Sequence, residues 1–190
     1  MQLPELSGFS LVGGTAFALK YGHRKSVDLD LFSTEDFNHE TMYTVLQNTF
    51  QHDFSFTGTR SKWGVFCMIK GVKVDIVYFP HKRIQAIEQY DEIRIYGDDD
   101  LMAMKVNAVL RRAAKKDFWD IAELLKHHSM QQMADCCYKK FPTQMLYIAI
   151  PHALTYFVDA HSSEAPVSFK GQTWESVQAF IQKQVRDFLT

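Results

Sequence analysis

Leu11-Val12-Gly13-Gly14-Thr15-Ala16-Phe17-Ala18-Leu19, followed by Ser26-Val27-Asp28-Leu29-Asp30-Leu31-Phe32, is the stretch whose reading decides the fold. Phe9 to Val12 is a short apolar run that ends on two glycines. Thr15 to Lys20 then holds good helix formers and stops near Gly22. The pattern predicts a strand handing over to a helix at Gly13-Gly14. Glycine lets a backbone approach a phosphate closely, and a helix N-terminus offers unpaired N–H groups to it. No Gly-Lys-Ser/Thr follows at Walker spacing, and Gly-Gly alone marks only a tight turn. Val27 to Phe32 alternates with period two and predicts a second strand. Side chains two apart share a strand face, so Asp28 and Asp30 are expected to project together, with Val27, Leu29 and Leu31 turned into a core. Two adjacent carboxylates repel unless a cation lies between them or one is protonated. Hard oxygen ligands suit Mg²⁺ or Mn²⁺. A lone strand Asp is more often a solvated outward residue, but strands are depleted in Asp, so the pair behind a glycine turn points to chemistry.

The flanking sequence extends this pattern. Gly64 to Ile69 and Val72 to Phe79 read as two strands joined at Lys70-Gly71, and Asp75 is the only acid of the run Lys73 to Phe79. If that strand lies beside the first acidic one, Asp28, Asp30 and Asp75 converge, and three carboxylates can hold two metal ions. Asn38 to Phe50 has helical spacing at Met42, Val45, Leu46 and Phe50. After Pro80 a short helix and a strand over Glu92 to Tyr96 are expected. From Asp98 helical pattern dominates, with helices expected over Asp100 to Ala114, Phe118 to Lys126, Gln131 to Lys139, Pro142 to Asp159 and Trp174 to Phe188. The expectation is an α+β protein: a mixed sheet flanked by helices over residues 1–97, then a helical region over 98–190 packed on it.

A basic run lies in the third quarter, with Lys105, Arg111, Arg112, Lys115 and Lys116 ahead of Asp117 and Asp120. Lys105 and Arg112 share a helix face, as do the two aspartates if helix restarts there. Such runs are usually solvated faces with internal ion pairs. His23, Arg24 and Lys25 could add phosphate contacts or simply form an exposed turn.

Residues 11 to 32 resemble the signature of the polymerase-β-type nucleotidyltransferase superfamily, and in particular that of the AbiEii/AbiGii toxins of abortive-infection toxin–antitoxin systems. That pattern has Gly-Gly-Thr/Ser, a helix, then Asp-Leu-Asp-Leu-Phe. Asp100, Leu101, Lys105, Arg112, Asp117, Asp120 and Leu124 fall on the family's second block, and the pattern covers residues 8 to 126. The resemblance implies a polymerase-β-like fold and a metal-dependent transfer of NMP from an NTP to a hydroxyl of RNA, such as a tRNA end, or of a protein. It makes Asp28 and Asp30 ligands of Mg²⁺ or Mn²⁺, and Asp75 the third carboxylate, acting as base or completing the metal site. It places Gly13, Gly14 and Thr15 around the phosphates and Lys105 on the triphosphate. Asp117 or Asp120 would orient that lysine or bind nucleotide. A cognate antitoxin is the implied partner. A non-catalytic nucleotide- or antitoxin-binding module on the same fold is the alternative.

Composition narrows the field further. The chain has 190 residues and a formal charge of −1 from 21 basic and 22 acidic side chains, so any polyanion must be met by a local patch. Cys67, Cys136 and Cys137 are odd in number and lack ligand spacing, which favours reduced cysteines in a cytoplasmic protein. Met1 to Glu5 does not resemble a signal peptide, and apolar runs fall short of the roughly 20 residues of a membrane span. His127, His128, His152 and His161 lack partners at metal spacing. Phe141, Tyr147, Tyr156, Phe157 and Phe169 are expected to pack helices.

Overall fold

In a computed structural model, the structure describes residues 1–56, 61–143 and 149–190. Among them, seven strands form one mixed sheet: β1 (Ser10–Val12), β2 (Leu29–Ser33), β3 (Phe54–Phe56), β4 (Gly64–Ile69), β5 (Val72–Tyr78), β6 (Glu88–Tyr90) and β7 (Ile93–Ile95). Their spatial order is β3-β4-β5-β2-β1-β7-β6. β2 runs parallel to β5 and antiparallel to β1, while β1 runs parallel to β7. The helices are α1 (Gly13–Tyr21), α2 (His39–Phe50), α3 (Asp98–Arg112), α4 (Lys115–Leu124), α5 (Met130–Lys140), α6 (Ala149–Thr155) and α7 (Trp174–Leu189). The protein is therefore an α+β mixed sheet flanked by helices, with every strand before residue 96 and α3 to α7 after it.

Period-two alternation sorts the central strands. On β5, Val74 and Ile76 are buried on one face, while Asp75 and Val77 line a cleft on the other. On β2, Leu31 enters the core, and Asp30 and Phe32 line the same cleft. α2 packs on β3 and β4, and α1 on β1 and β2. The core continues without a break into α3, α4, α5 and α7 through Leu101, Val106, Ile121, Met133 and Ile181.

α3 begins with Asp98, Asp99 and Asp100, favourable against the helix dipole. Asp100 does more than complement the dipole. It is fully buried, accepts the Ile84 and Gln85 N–H groups, and meets the buried Lys140 ammonium of α5 at 2.5 Å.

Several expectations shift. Val27 and Asp28 precede β2 rather than forming its start, and Val27 is exposed. The β1 ladder ends at Val12↔Asp30, where the chain turns into α1 at Gly13 with φ +70°, the β5 ladder ends one residue on at Leu29↔Val74, and Thr15 Oγ1 captures the Asp28 carbonyl. The short helix expected after Pro80 is absent among the described residues; β6 stands in that region and pairs with β7. α4 starts at Lys115, so Asp117 joins Asp120 on one helix. Of the helix expected over Pro142 to Asp159, α6 covers Ala149–Thr155 and a 3₁₀ turn covers Val158–Ala160; residues 144–148, Tyr147 among them, lie outside the described residues. Phe141 and Phe157 are buried as expected, but Tyr156 and Phe169 are exposed. All three cysteines are free and buried.

Candidate active site

The β2–β5 register sets Asp30 directly opposite Asp75 on parallel strands. The two glycines make room for what surrounds them. A Cβ on Gly13 would strike the Asp30 carboxylate, and one on Gly14 would lie 2.5 Å from Arg24 Nη2. Thr15, expected at the phosphates, instead spends its hydroxyl on Ser26 Oγ at 3.0 Å and on the Asp28 carbonyl, which fixes the segment leading into β2.

These elements enclose a small polar cavity of about 100 Å³, lined by Gly14, Arg24, Ser26, Asp28, Asp30, Lys73, Asp75, Lys105, Arg112 and Lys116. Asp28 thus shares the cavity with Asp30 and Asp75 although it lies outside the strand. Five cations and three carboxylates line it; Asp117 and Asp120 behind the wall pair with three of those cations, so the charges balance overall while ammonium and guanidinium groups remain at the wall to meet a polyanion. A larger hollow of about 430 Å³ shares Gly14, Asp30, Asp75, Lys105 and Arg112 with it and adds Phe32, Phe66, Val77, Phe79 and Asn107. The result is one cleft with a charged end and an apolar end, the pairing of surfaces a nucleotide presents.

Burial, reinforced by the neighbouring Asp75 charge, pushes the Asp30 carboxyl above the ordinary carboxylate range; Lys73 and Lys105 pull against it. Asp75 Oδ2 takes Lys73 Nζ at 2.6 Å, while its buried Oδ1 has no hydrogen-bond partner among the described residues. A strained carboxylate pair with an unsatisfied buried oxygen fits a hard divalent cation. Among the described residues, no three His, Cys, Asp or Glu side chains form a ready-made ion cage, so these carboxylates make at most an open site.

Behind the cavity lies a buried charge cluster. Lys105 Nζ sits 2.9 Å from Asp117 Oδ1 and 2.8 Å from Asp120 Oδ2. Burial alone would lower the lysine's pKa, but the two aspartates outweigh it and raise it, so the ammonium is permanently charged and held in place. Asp120 also receives Arg24 Nε at 2.6 Å, Arg24 Nη2 at 2.8 Å and His23 Nε2 at 2.7 Å. Arg112, half-exposed, reaches Asp117 Oδ2 at 3.2 Å. Burial opposes the charge of both aspartates, yet their cations hold them ionised below the ordinary range. The sequence left open which aspartate meets the lysine; both do.

His23 and Arg24 are buried, not an exposed turn, and His23 stands away from the cavity lining. Lys25 is exposed and lines an adjoining groove with Ser163 to Pro166 instead. Sequence reasoning passed over Lys73, whose only signal is its place two residues before Asp75 on the same strand face. It also passed over Phe66, Phe79 and Asn107, which no motif marks, and gave no role to Phe32, which closes the acidic motif.

The protein aq_aa25 of Aquifex aeolicus is 27% identical over 187 residues, covering 95% of this chain and 88% of its own. The fold is similar to that of MenT4, a nucleotidyltransferase toxin of Mycobacterium tuberculosis H37Rv, with a TM-score of 0.59 and 13% identity over 93% of this chain and 74% of that one. It is also similar to JHP933 of Helicobacter pylori, with a TM-score of 0.55 and 16% identity over 94% and 82% of the two chains. The family model for the nucleotidyl transferase AbiEii toxin of type IV toxin–antitoxin systems matches residues 2–166, a span that holds the whole cleft, and the chain belongs to that family.

Proposed function

We propose that the cleft transfers a nucleoside monophosphate from an NTP to an acceptor hydroxyl, on RNA or on a protein, releasing pyrophosphate. The observation that supports this most directly is Asp30 in register with Asp75, flanked in one cavity by Lys105, Arg112 and Arg24. The nucleoside occupies the apolar end beside Phe32 and Phe79, and the triphosphate meets the cations at the charged end. Lys105 holds a fixed ammonium against phosphate charge that grows in the transition state. Arg24 and Arg112 position the phosphates from either side, their own orientation set by Asp120 and Asp117. Gly13 and Gly14 keep the start of α1 clear of side chains beside the carboxylates. Asp28, Asp30 and Asp75 are the residues that would hold Mg²⁺ or Mn²⁺, which when bound neutralises phosphate oxygens and favours an ionised acceptor. Asp75 Oδ1 is the oxygen free to accept the acceptor's proton.

Family membership supports a toxin whose partner is a cognate antitoxin. Buried reduced cysteines fit a cytoplasmic setting. Among the described residues, no helix is long and apolar enough to cross a membrane. The test is incubation with each labelled NTP plus total RNA or lysate. Labelled RNA or protein that disappears in Asp30→Asn supports transfer and names the acceptor class. Saturable NTP binding without transfer to any acceptor would make the protein a nucleotide-binding module instead.

A further inference from the structure

Lys73 stands out as a charged group at the carboxylates with no part in the mechanism above. It sits on β5 two residues before Asp75 and therefore on the same strand face. Its Nζ lies 2.6 Å from Asp75 Oδ2, and its side chain is 48% exposed, unlike the buried Lys105. Burial is the largest single influence and opposes its charge, but the bond to Asp75 and the charges of Asp75, Asp30 and Asp28 together outweigh it and raise its pKa. In turn it is one of the cations that favour the charged form of Asp30. A flexible stem, partial exposure and one held partner describe a cation that can leave. Lys105, with two buried partners, cannot.

We propose that Lys73 is a displaceable counter-ion of the Asp30–Asp75 pair: it occupies Asp75 in the nucleotide-free protein and gives way when a divalent cation binds there. This rests on the reading that the carboxylates take such a cation. Two consequences follow from charge alone. Removing the ammonium removes a competitor for Asp75, so the site gains affinity for a divalent cation in the absence of nucleotide. Replacing it with a guanidinium, which grips a carboxylate with a two-pronged fork, strengthens the competitor and weakens that affinity.

The experiment is direct Mn²⁺ binding to the nucleotide-free 190-residue chain, read by electron paramagnetic resonance of the free ion, for wild type, Lys73→Met, Lys73→Arg and Asp30→Asn. The expected order of affinity is Met, then Lys, then Arg, with the Met variant about tenfold tighter than wild type. Lys73→Arg keeps the charge that folding sees, so its weaker binding tests the proposal even if the Met variant is unstable. Wild-type binding that Lys73→Met leaves unchanged or weakens, or that Lys73→Arg strengthens, overturns the counter-ion role and leaves the metal reading intact. Wild-type protein that binds no more Mn²⁺ than Asp30→Asn overturns the metal reading, and the counter-ion role with it.

Discussion

Gly13 and Asp30 are matched pieces: the glycine adopts φ +70°, and the carboxylate fills the space a Cβ would take. Gly13→Ala is therefore expected to cost about 1–3 kcal/mol of stability from the left-handed backbone, and to push Asp30 off its register opposite Asp75. Urea denaturation and NTP labelling together check it; an Ala variant with wild-type stability would show that the turn relaxes freely. Asp30→Asn should behave in the opposite way. Burial and Asp75 already work against the Asp30 charge, so the neutral amide is expected to leave stability unchanged or raise it by about 1 kcal/mol, while transfer falls at least about a hundredfold. Loss of both stability and transfer would mean that the carboxylate is structural. The three aspartates were readable from the sequence because strands rarely carry Asp and period two fixes which side chains share a face. The reason for the glycines was not, since what a missing Cβ admits depends on residues 10 to 17 positions away. Asp28 shows the limit of periodicity: the alternation runs through Val27, yet pairing with β1 ends at Asp30, where β1 turns into α1, and pairing with β5 ends at Leu29.

The clamp between α3 and α4 is the next level of organisation. Asp120 is its hub, because Lys105, Arg24 and His23 all converge on that one buried carboxylate. Asp120→Ala strands the buried Arg24, leaves His23 Nε2 without its acceptor and Lys105 with Asp117 alone, and is expected to cost about 3–5 kcal/mol. Lys105→Met leaves Asp120 with Arg24 and Asp117 with Arg112, so its stability loss should be smaller while transfer collapses. Thermal melts of the two variants decide between hub and spoke; equal losses would contradict the asymmetry. Helical spacing revealed Lys105, Arg112, Asp117 and Asp120 as a group, since residues three, four or seven apart meet on a helix face. It could not reveal that Lys140, forty residues downstream, is the buried partner of Asp100, which reads locally as a helix-start acid. The edge strands β3 and β6 escaped notice for a simpler reason: three residues are too few to display an alternation.

Taken across the whole chain, a formal charge of −1 conceals opposed charges gathered into one place: the cations and carboxylates of the cleft, and the buried aspartates behind them. That arrangement makes stability depend on acid. Although burial opposes it, bonds from Lys126 and Lys170 hold Glu123 down to about 2, and Asp117 and Asp120 are depressed as well. Such groups bind more protons unfolded than folded, so their stabilisation is complete above roughly pH 5 and is lost as pH falls towards 2. Melting temperature should drop through that window, and Glu123→Gln should flatten the drop; an unchanged slope would remove Glu123 from the account. Glu123 also ties the site to the end of the chain, because Lys170 Nζ meets it at 2.5 Å. Beyond that contact the segment straps the site: the Lys25 N–H donates to the Val167 carbonyl and the Phe169 N–H to the His23 carbonyl, each at 2.9 Å, one on either side of Arg24. α7 anchors the strap with buried Val177, Ile181 and Val185, and with Trp174 stacked on Trp119 at 5.8 Å, one residue from Asp120. All of this lies past residue 166, where the family match ends; helical spacing announced α7, but nothing announced the strap before it. Burying three such side chains and partly burying the Trp174 indole is worth on the order of 5–10 kcal/mol, against about 5–15 kcal/mol for a whole domain. A chain ending at residue 166 is therefore expected to lose cooperative unfolding. Lys170→Met, which frees only the strap, should keep most of the melting temperature, speed hydrogen exchange at the Lys25 and Phe169 amides, and raise the KM for NTP more than it lowers kcat. A truncated chain that melts and transfers like the full one would show that the site stands without its strap.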